Sequence, residues 1–405
     1  LPPAQLSLVA PDAQAEQASV IPPALATPTQ AFSEALSLWV EQIKGERLAD
    51  FPASAKEVSM LPNGLLTRGK NAMGYTVHGF GQLISLLTHE IGKPNNLAGC
   101  MRWLSPLARS AAYEDIRVRT KRPSAEPIVF RTAMSPGSDR RFLRAAVSER
   151  HALGYFDDLA LSKALTLALN DATSPHNAKS LRVRRGTNAT YGSAVIDDRT
   201  GPVSAAVHFR NSEVGSASLS FTGGAVLRVV DAMIALPGSS REIETEVAVA
   251  WDSSTRRMRH TAPRAGGEAQ KANVAIGRMR EAIFNAAESA RRIPELYEAA
   301  CARFPDGSMA LGDVNETHAE VIADRVDEEG AFCGDAELRT TFVQVLKDET
   351  RLTQMPRGSA AHIAAVFAVC AQRASNVDEQ RRLQSIAGQW LVAGWRTSRN
   401  VWSKL

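Results

Sequence analysis

Apolar positions along the chain recur with two periods, and these divide it into regions. In "QAFSEALSLWVEQIKG" (30–45), Phe32, Leu36, Trp39, Val40 and Ile43 fall three or four residues apart, which predicts an amphipathic helix ended by Gly45. "MLPNGLLTRGKNAMG" sets an Asn63-Gly64 turn between short apolar pieces, a hairpin signal. "YTVHGFGQLISLLTHEIGKP" predicts a second helix. Thr76 caps it, Phe80, Leu83, Ile84 and Leu87 form its stripe, and Gly92 and Pro94 stop it. The glycines Gly79 and Gly81 have no preceding strand and no third glycine, so close helix packing explains them better than a phosphate loop.

From about 115 to 270 the period shortens. "IRVRT", "PIVFRTAM", "LRAAVS", "SLRVRR", "SAAVHFR", "SASLSF", "VLRVVDAMIAL" and "ETEVAVAW" read as strands, interrupted by a helix over 154–170. After Gly267 the pattern is helical to the end. One long helix or two joined near Pro294 come first, then helices around 315–329, 335–350, 358–374 and 377–397. The predicted class is α+β: a mostly antiparallel sheet with helices packed on one face, followed by an all-helical C-terminal region. The division is a flexible Pro/Ala-rich tail or the start of a truncated fragment (1–30), an α+β core (31–270) and a helical region (271–405).

Composition narrows the function classes. At 44% apolar and 22% charged, the chain is of ordinary globular type. No apolar run is long enough to span a bilayer, so no membrane partner is expected and a cytoplasmic location is. The four cysteines lack zinc-ligand or disulfide spacing, so they read as buried thiols and no metal is assigned. No P-loop, GxSxG, HExxH or dinucleotide fingerprint is present, and no cofactor is implied.

The net charge is only +4, but arginines cluster. The clusters are Arg117, Arg119, Lys121 and Arg122; Arg140, Arg141 and Arg144; Arg182, Arg184 and Arg185; and Arg256, Arg257, Arg259 and Arg264. Alternation on a strand sets two arginines about 7 Å apart on one face. Guanidinium groups suit phosphate, so Arg117, Arg119, Arg182, Arg184, Arg185, Arg256, Arg257 and Arg259 are the candidate nucleic-acid contacts. Tyr75, Phe130, Tyr155, Tyr191 and Phe209 offer stacking surfaces. Solvated faces and turns are the plainer account of the same charges.

The polar run "NSEVG" inside an otherwise strand-like stretch reads as a turn or bulge closed by Gly215. Asn211, Ser212, Glu213, Gly215, Arg228 and His260 form a candidate polar constellation, with Glu213 as base or metal ligand and His260 as acid or base. The pair Asp157-Asp158 reads as cap and turn residues, and His208 as a half-buried sheet residue.

These pieces, in this order, resemble the phage- and plasmid-associated domain-of-unknown-function family 932, the phage/plasmid-like proteins. The residues that carry the resemblance are "GYTVHGFGQL", "RAAVSERHALGYFDDLAL" and "NSEVGSASLSFTGGAVLRVVDAMI", then "RRMRHT". Asn211, Ser212, Glu213 and Gly215 fit the family's Asn-Ser motif, Leu227 to Val230 fit the start of its Arg-Leu-Val-Cys-x-Asn-Gly motif, and His260 fits a later histidine. The Cys and Asn-Gly are replaced here by Asp231-Ala232-Met233. The resemblance implies a mobile-element setting. By analogy with other proteins of that setting, the expectation is a nucleic-acid-binding protein handling single-stranded DNA, with a homo-oligomer as a further partner. The alternatives are an enzyme acting on nucleic acid or a nucleotide through Glu213, Arg228 and His260, and an oligomeric scaffold without catalysis.

Overall fold

The structure is a computed structural model that describes residues 31–46, 50–88, 97–120, 127–134, 140–148, 157–171, 174–186, 189–196, 201–214, 219–228, 230, 232–242, 268–303, 316–328, 330–332, 334–349, 351–352, 355–374 and 377–393. The tail 1–30, Gly215, Lys121, Arg122, Tyr155, Cys333, the Arg256–Arg264 cluster with His260, and the strand read at "ETEVAVAW" lie outside the described residues.

Helix α1 (Phe32–Glu46) buries the stripe read from its spacing: Phe32, Leu36, Trp39 and Ile43. A first sheet follows, built from β1 (Phe51–Ala53), β2 (Ser59–Met60), β3 (Leu66–Arg68), β4 (Asn71–Tyr75), β5 (Ile128–Met134) and β6 (Arg141–Ser148). Its order is β1-β5-β6-β4-β3-β2, antiparallel except where β4 runs parallel to β6. Gly64, at φ 84°, makes the turn between β2 and β3. Helices α2 (Val77–Thr88), α3 (Leu97–Arg102) and α4 (Pro106–Arg119) lie between β4 and β5 in the chain. Phe80, Leu83, Ile84 and Leu87 of α2 pack with Tyr113 of α4 and with Phe130 and Leu143 of the sheet.

Thr76 caps α2, its Oγ1 accepting from the Gly79 amide at 2.9 Å and donating to the Arg144 carbonyl at 3.2 Å. That bond draws the helix onto β6. A Cβ at Gly79 would lie 2.8 Å from the Arg144 carbonyl oxygen, whereas one at Gly81 would meet nothing within 4 Å. Opposite outcomes are therefore expected from one substitution at two neighbouring glycines. Gly81→Ala should stabilise by about 0.5–1 kcal/mol through helix propensity. Gly79→Ala should destabilise by about 1–3 kcal/mol through overpacking against backbone. Urea midpoints check this, and equal shifts at both sites would contradict the close approach.

The second half begins with α5 (Asp158–Leu169), capped by Asp157. A second, antiparallel sheet comprises β7 (Ser180–Arg185), β8 (Thr190–Val195), β9 (Val203–Asn211), β10 (Ser220–Leu227) and β11 (Ala232–Glu242), in the order β11-β10-β9-β8-β7. Next come α6 (Glu268–Ala290), α7 (Ile293–Cys301), α8 (Glu316–Glu328), α9 (Ala336–Asp348), α10 (Ala360–Arg373) and α11 (Val377–Ala393). Helix α6 ends at Ala290 and α7 starts at Ile293, the break foreseen near Pro294. One face of this sheet is covered twice. Phe209 and Phe221 pack with α1, α5 and α6, while Val203, Ala205, Ala225 and Ile234 pack with the later helices. Residues 360–371 of α10 are buried on every side, as a run apolar but for His362 requires. The α+β class read from the chain is what the structure shows.

Several local readings are corrected. "IRVRT" is not a strand but the last turn of α4. Four alternating residues are too short a window to separate a strand from a helix end, and Tyr113, buried against Val58, fixes the helical phase. "VLRVVDAMIAL" is not one strand: β10 ends at Leu227 and β11 begins at Ala232. Strand β8 was not read, because Thr190 to Val195 mixes Gly and Ser with few large apolar residues. One sheet was foreseen and two form. Cys100 is exposed rather than buried, while Cys301 and Cys370 are free thiols at partial and full burial. Among the described residues, no helix is long and apolar enough to cross a membrane.

Candidate functional site

The polar run that interrupted the strand pattern sits where the two sheets meet. Asn211 ends β9, and the chain turns at Glu213 and Val214. Asn211, Ser212 and Glu213 are all buried, at 0%, 1% and 4% exposure. Buried polar groups need partners, and these reach across both halves of the molecule. Helix α2 supplies His78 and Gln82, one turn apart, whose ring and amide nitrogens lie 3.0 and 2.8 Å from the Val214 carbonyl oxygen. The other end of Gln82 accepts from the Ala146 amide of β6 at 3.1 Å.

The Glu213 carboxylate lies in a cage of arginines. Oε2 accepts from Arg144 Nη1 at 2.8 Å and from Arg185 Nη2 at 3.0 Å. Oε1 accepts from the Asp158 amide at 3.1 Å, in the first turn of α5, where the helix dipole also favours an anion. Arg131 donates to the Glu213 carbonyl at 2.7 Å and forks onto Asp50 at 2.9 and 3.1 Å. Asp158 closes the network, accepting from Thr190 at 2.6 Å, Asn211 at 2.8 Å and Arg185 at 3.1 Å. Arg185 also pairs with Glu46 at the end of α1.

Local structure aims each of these side chains. In the β5–β6 ladder Arg131 pairs with Ala145 and Thr132 with Leu143, so Arg144 is the extra residue of a β-bulge. A bulge re-aims its side chain, and here it sends Arg144 to Glu213. Arg184 and Arg185 are consecutive on a strand and must face opposite sides. Arg185 therefore shares the inner face with Leu181 and Val183, in register with Thr190 and, through it, Asn211. That adjacency was the signal in the chain that one arginine of the cluster points inward. Arg131 lay within the apolar "PIVFRTAM", a second such signal.

Electrostatics follows from this geometry. Burial alone would raise the Glu213 pKa, but Arg144, Arg185 and Arg131 outweigh it and hold the group at about 2. Burial and the Glu213 charge raise Asp158. Burial lowers Arg144, against the pull of Glu213. A carboxylate so held is a poor base near neutral pH, and at 4% exposure Glu213 meets little solvent. Of the remaining members of the foreseen constellation, Arg228 does not join it. Arg228 lies past the opposite end of β9, roughly 25 Å away at about 3.3 Å per residue, where it donates to Ser204. His260 and Gly215 lie outside the described residues. Among the described residues, no group of three or more His, Cys, Asp or Glu is placed to hold a metal ion.

The arginines read as nucleic-acid contacts separate in the same way. Arg117 and Arg119 stand on a helix, bonded to Glu114 at 2.6 Å and Asp115 at 2.9 Å. Arg185 is in the cage, and Arg256, Arg257 and Arg259 lie outside the described residues. Arg182 and Arg184 do share the outer face of β7, as alternation requires. Across the sheet Arg184 pairs with Tyr191, and Tyr191 with Arg210. The Arg210 guanidinium lies 5.6 Å from the Tyr191 ring centre. Beside this row runs a second, Arg182, Ser193 and His208. His208 sits between Ser193 Oγ and the Ile234 carbonyl, and burial pushes its pKa down to about 4. Of the foreseen stacking residues, Phe130 and Phe209 are core, Tyr75 accepts from Arg109 at 2.8 Å, and Tyr191 lies in the basic row. Compared with protein-family models, with curated proteins and with solved structures, the chain matches none.

Proposed function

We propose that the chain is a nucleic-acid-binding protein, and that its binding surface is the β7–β8 edge of the second sheet on the side of Arg182, Arg184, Tyr191 and Arg210, most of the rest of that sheet face being buried. The observation that carries this reading is the cross-strand row Arg184–Tyr191–Arg210, with Arg182 beside it. Two strand positions set Arg182 and Arg184 about 7 Å apart, close to the phosphate spacing of an extended strand. A tyrosine within such a row gives a base a surface to stack on, which favours single strands over duplex. Single-stranded DNA is the ligand expected by analogy with other proteins of the mobile-element setting that the sequence resemblance implies. Arg117 and Arg119 are not part of this surface, because they stand on α4 beside the first sheet.

Fluorescence anisotropy with a labelled single-stranded oligonucleotide, titrated at several salt concentrations, tests the reading. Binding should weaken steeply with salt, since each phosphate contact releases a counterion. Arg182→Ala with Arg184→Ala should weaken binding for every sequence and reduce the salt slope by about 2. Absence of binding at low salt, or an unchanged slope in the double variant, would remove this surface from consideration.

A further inference from the structure

The basic row on β7, β8 and β9 has a second row directly behind it. Consecutive strand residues point to opposite faces. Each member of the outer row therefore has a neighbour on the inner face: Arg185 beside Arg184, Thr190 beside Tyr191, and Asn211 beside Arg210. These neighbours are themselves in cross-strand register, Arg185 with Thr190 and Thr190 with Asn211. All of them bind one carboxylate. Asp158 accepts from Arg185 and Thr190 at Oδ2, at 3.1 and 2.6 Å, and from Asn211 at Oδ1, at 2.8 Å.

The level of this contact in the sheet matters. Strand β7 ends at Arg185, β8 begins at Thr190 and β9 ends at Asn211, so the inner row is a row of strand ends. Strand ends open more readily than the interior of a ladder, because fewer contacts hold them. Here a single side chain ties the ends together from behind, and its own position is fixed. Asp158 is the first residue of α5, and its amide donates to Glu213 Oε1 at 3.1 Å. Glu213 in turn is bonded to Arg144 of the first sheet. Asp158, Thr190 and Asn211 are 0%, 2% and 0% exposed, so they do not reach a ligand on the outer face.

We infer that Asp158 is a positioning residue for nucleic-acid binding: it holds the ends of β7, β8 and β9 so that Arg184, Tyr191 and Arg210 stand in one row. This rests on the reading of that row as the binding surface. A strand that meets all of these side chains needs them at a fixed spacing. Were the strand ends to move independently, association would carry the cost of ordering them. With Asp158 in place the ordering is complete before the ligand arrives.

Substitutions at Thr190 test this, because they alter the clamp and leave every charge in place. Thr190→Val keeps the shape and suits a strand, but removes the hydroxyl that donates to Asp158. Thr190→Ser keeps the hydroxyl and removes the methyl. Fluorescence anisotropy with a labelled thymidine oligonucleotide, over a series of salt concentrations and well below each variant's melting temperature, gives affinity and salt slope. Thr190→Val should bind about three- to tenfold more weakly at every salt concentration. Its slope should equal that of the wild type, because the phosphate contacts keep their number. Thr190→Ser should bind within about twofold of the wild type. A contact residue behaves otherwise: Arg184→Ala should lower affinity and slope together. Wild-type affinity in Thr190→Val, or an equal loss in Thr190→Ser, would overturn the positioning role and leave the binding surface standing. No binding by the wild type, or an unchanged slope in the Arg182 and Arg184 double variant, would remove the surface and this role with it.

Discussion

Glu213→Ala is expected to cost about 3–5 kcal/mol of folding stability, the usual result of removing one partner from a buried charged network. The carboxylate is the shared anion of Arg144 and Arg185 and the acceptor for the first amide of α5. Without it, two guanidinium groups from different sheets face each other in a site of low exposure. Glu213→Gln keeps the shape and removes the charge, so it should lose most of the same amount. Urea denaturation of both variants separates these contributions. A loss below about 1 kcal/mol in Glu213→Gln would mean that packing rather than charge holds the junction. A network of this kind is weak evidence for net stability, since well-packed apolar groups often do as well. Its service here is register: it joins α1, β5, β6, α5, β7 and the β9 turn in one arrangement.

Acid should weaken the same junction, with a particular profile. The surrounding arginines hold the Glu213 carboxyl at about 2 in the folded chain, against its ordinary value of 4.5. A depressed carboxylate contributes stability above its unfolded pKa and loses it as pH falls through its folded pKa. At about 1.4 kcal/mol per unit the contribution is roughly 3 kcal/mol, lost between about pH 4.5 and 2. Asp158 has the opposite sign. Its raised pKa means the folded chain takes up a proton earlier than the unfolded chain, which adds stability as pH first declines. Stability should therefore hold or fall only slightly to about pH 5 and then drop steeply. The wild-type advantage over Glu213→Gln, measured by urea midpoints from pH 7 to 3, should shrink over the steep part. A constant difference across that range would show that Glu213 does not carry the acid response.

The patterns legible in the chain were those whose cause is local. The α1 stripe, the Thr76 cap, the break before Pro294 and the later helices depend on spacing within a few turns, and each appears in the structure near its foreseen bounds. So does the α+β class, which follows from where the short period gives way to the long one. The oddity of Asn211-Ser212-Glu213 within a strand was also legible as an oddity. Its meaning was not, because every partner of Glu213 other than its own turn is far along the chain, at Arg131, Arg144, Asp158 and Arg185.

The arginines show the same division. Sequence spacing grouped them by proximity in the chain, whereas folding sorted them by face and by partner. Arg184 and Arg185 are neighbours that end on opposite sides of one strand, and Arg144 is turned inward by a bulge that only the β5–β6 register creates. Arg117 and Arg119 alternate like strand residues yet complete a helix. The sequence by itself determined the elements and their apolar faces, since those rest on backbone periodicity and local capping. Tertiary structure decided which charges are buried and with which partners, because burial is set by strand pairing and long-range contact, of which the Arg184-Arg185 adjacency and the apolar neighbours of Arg131 are only local hints.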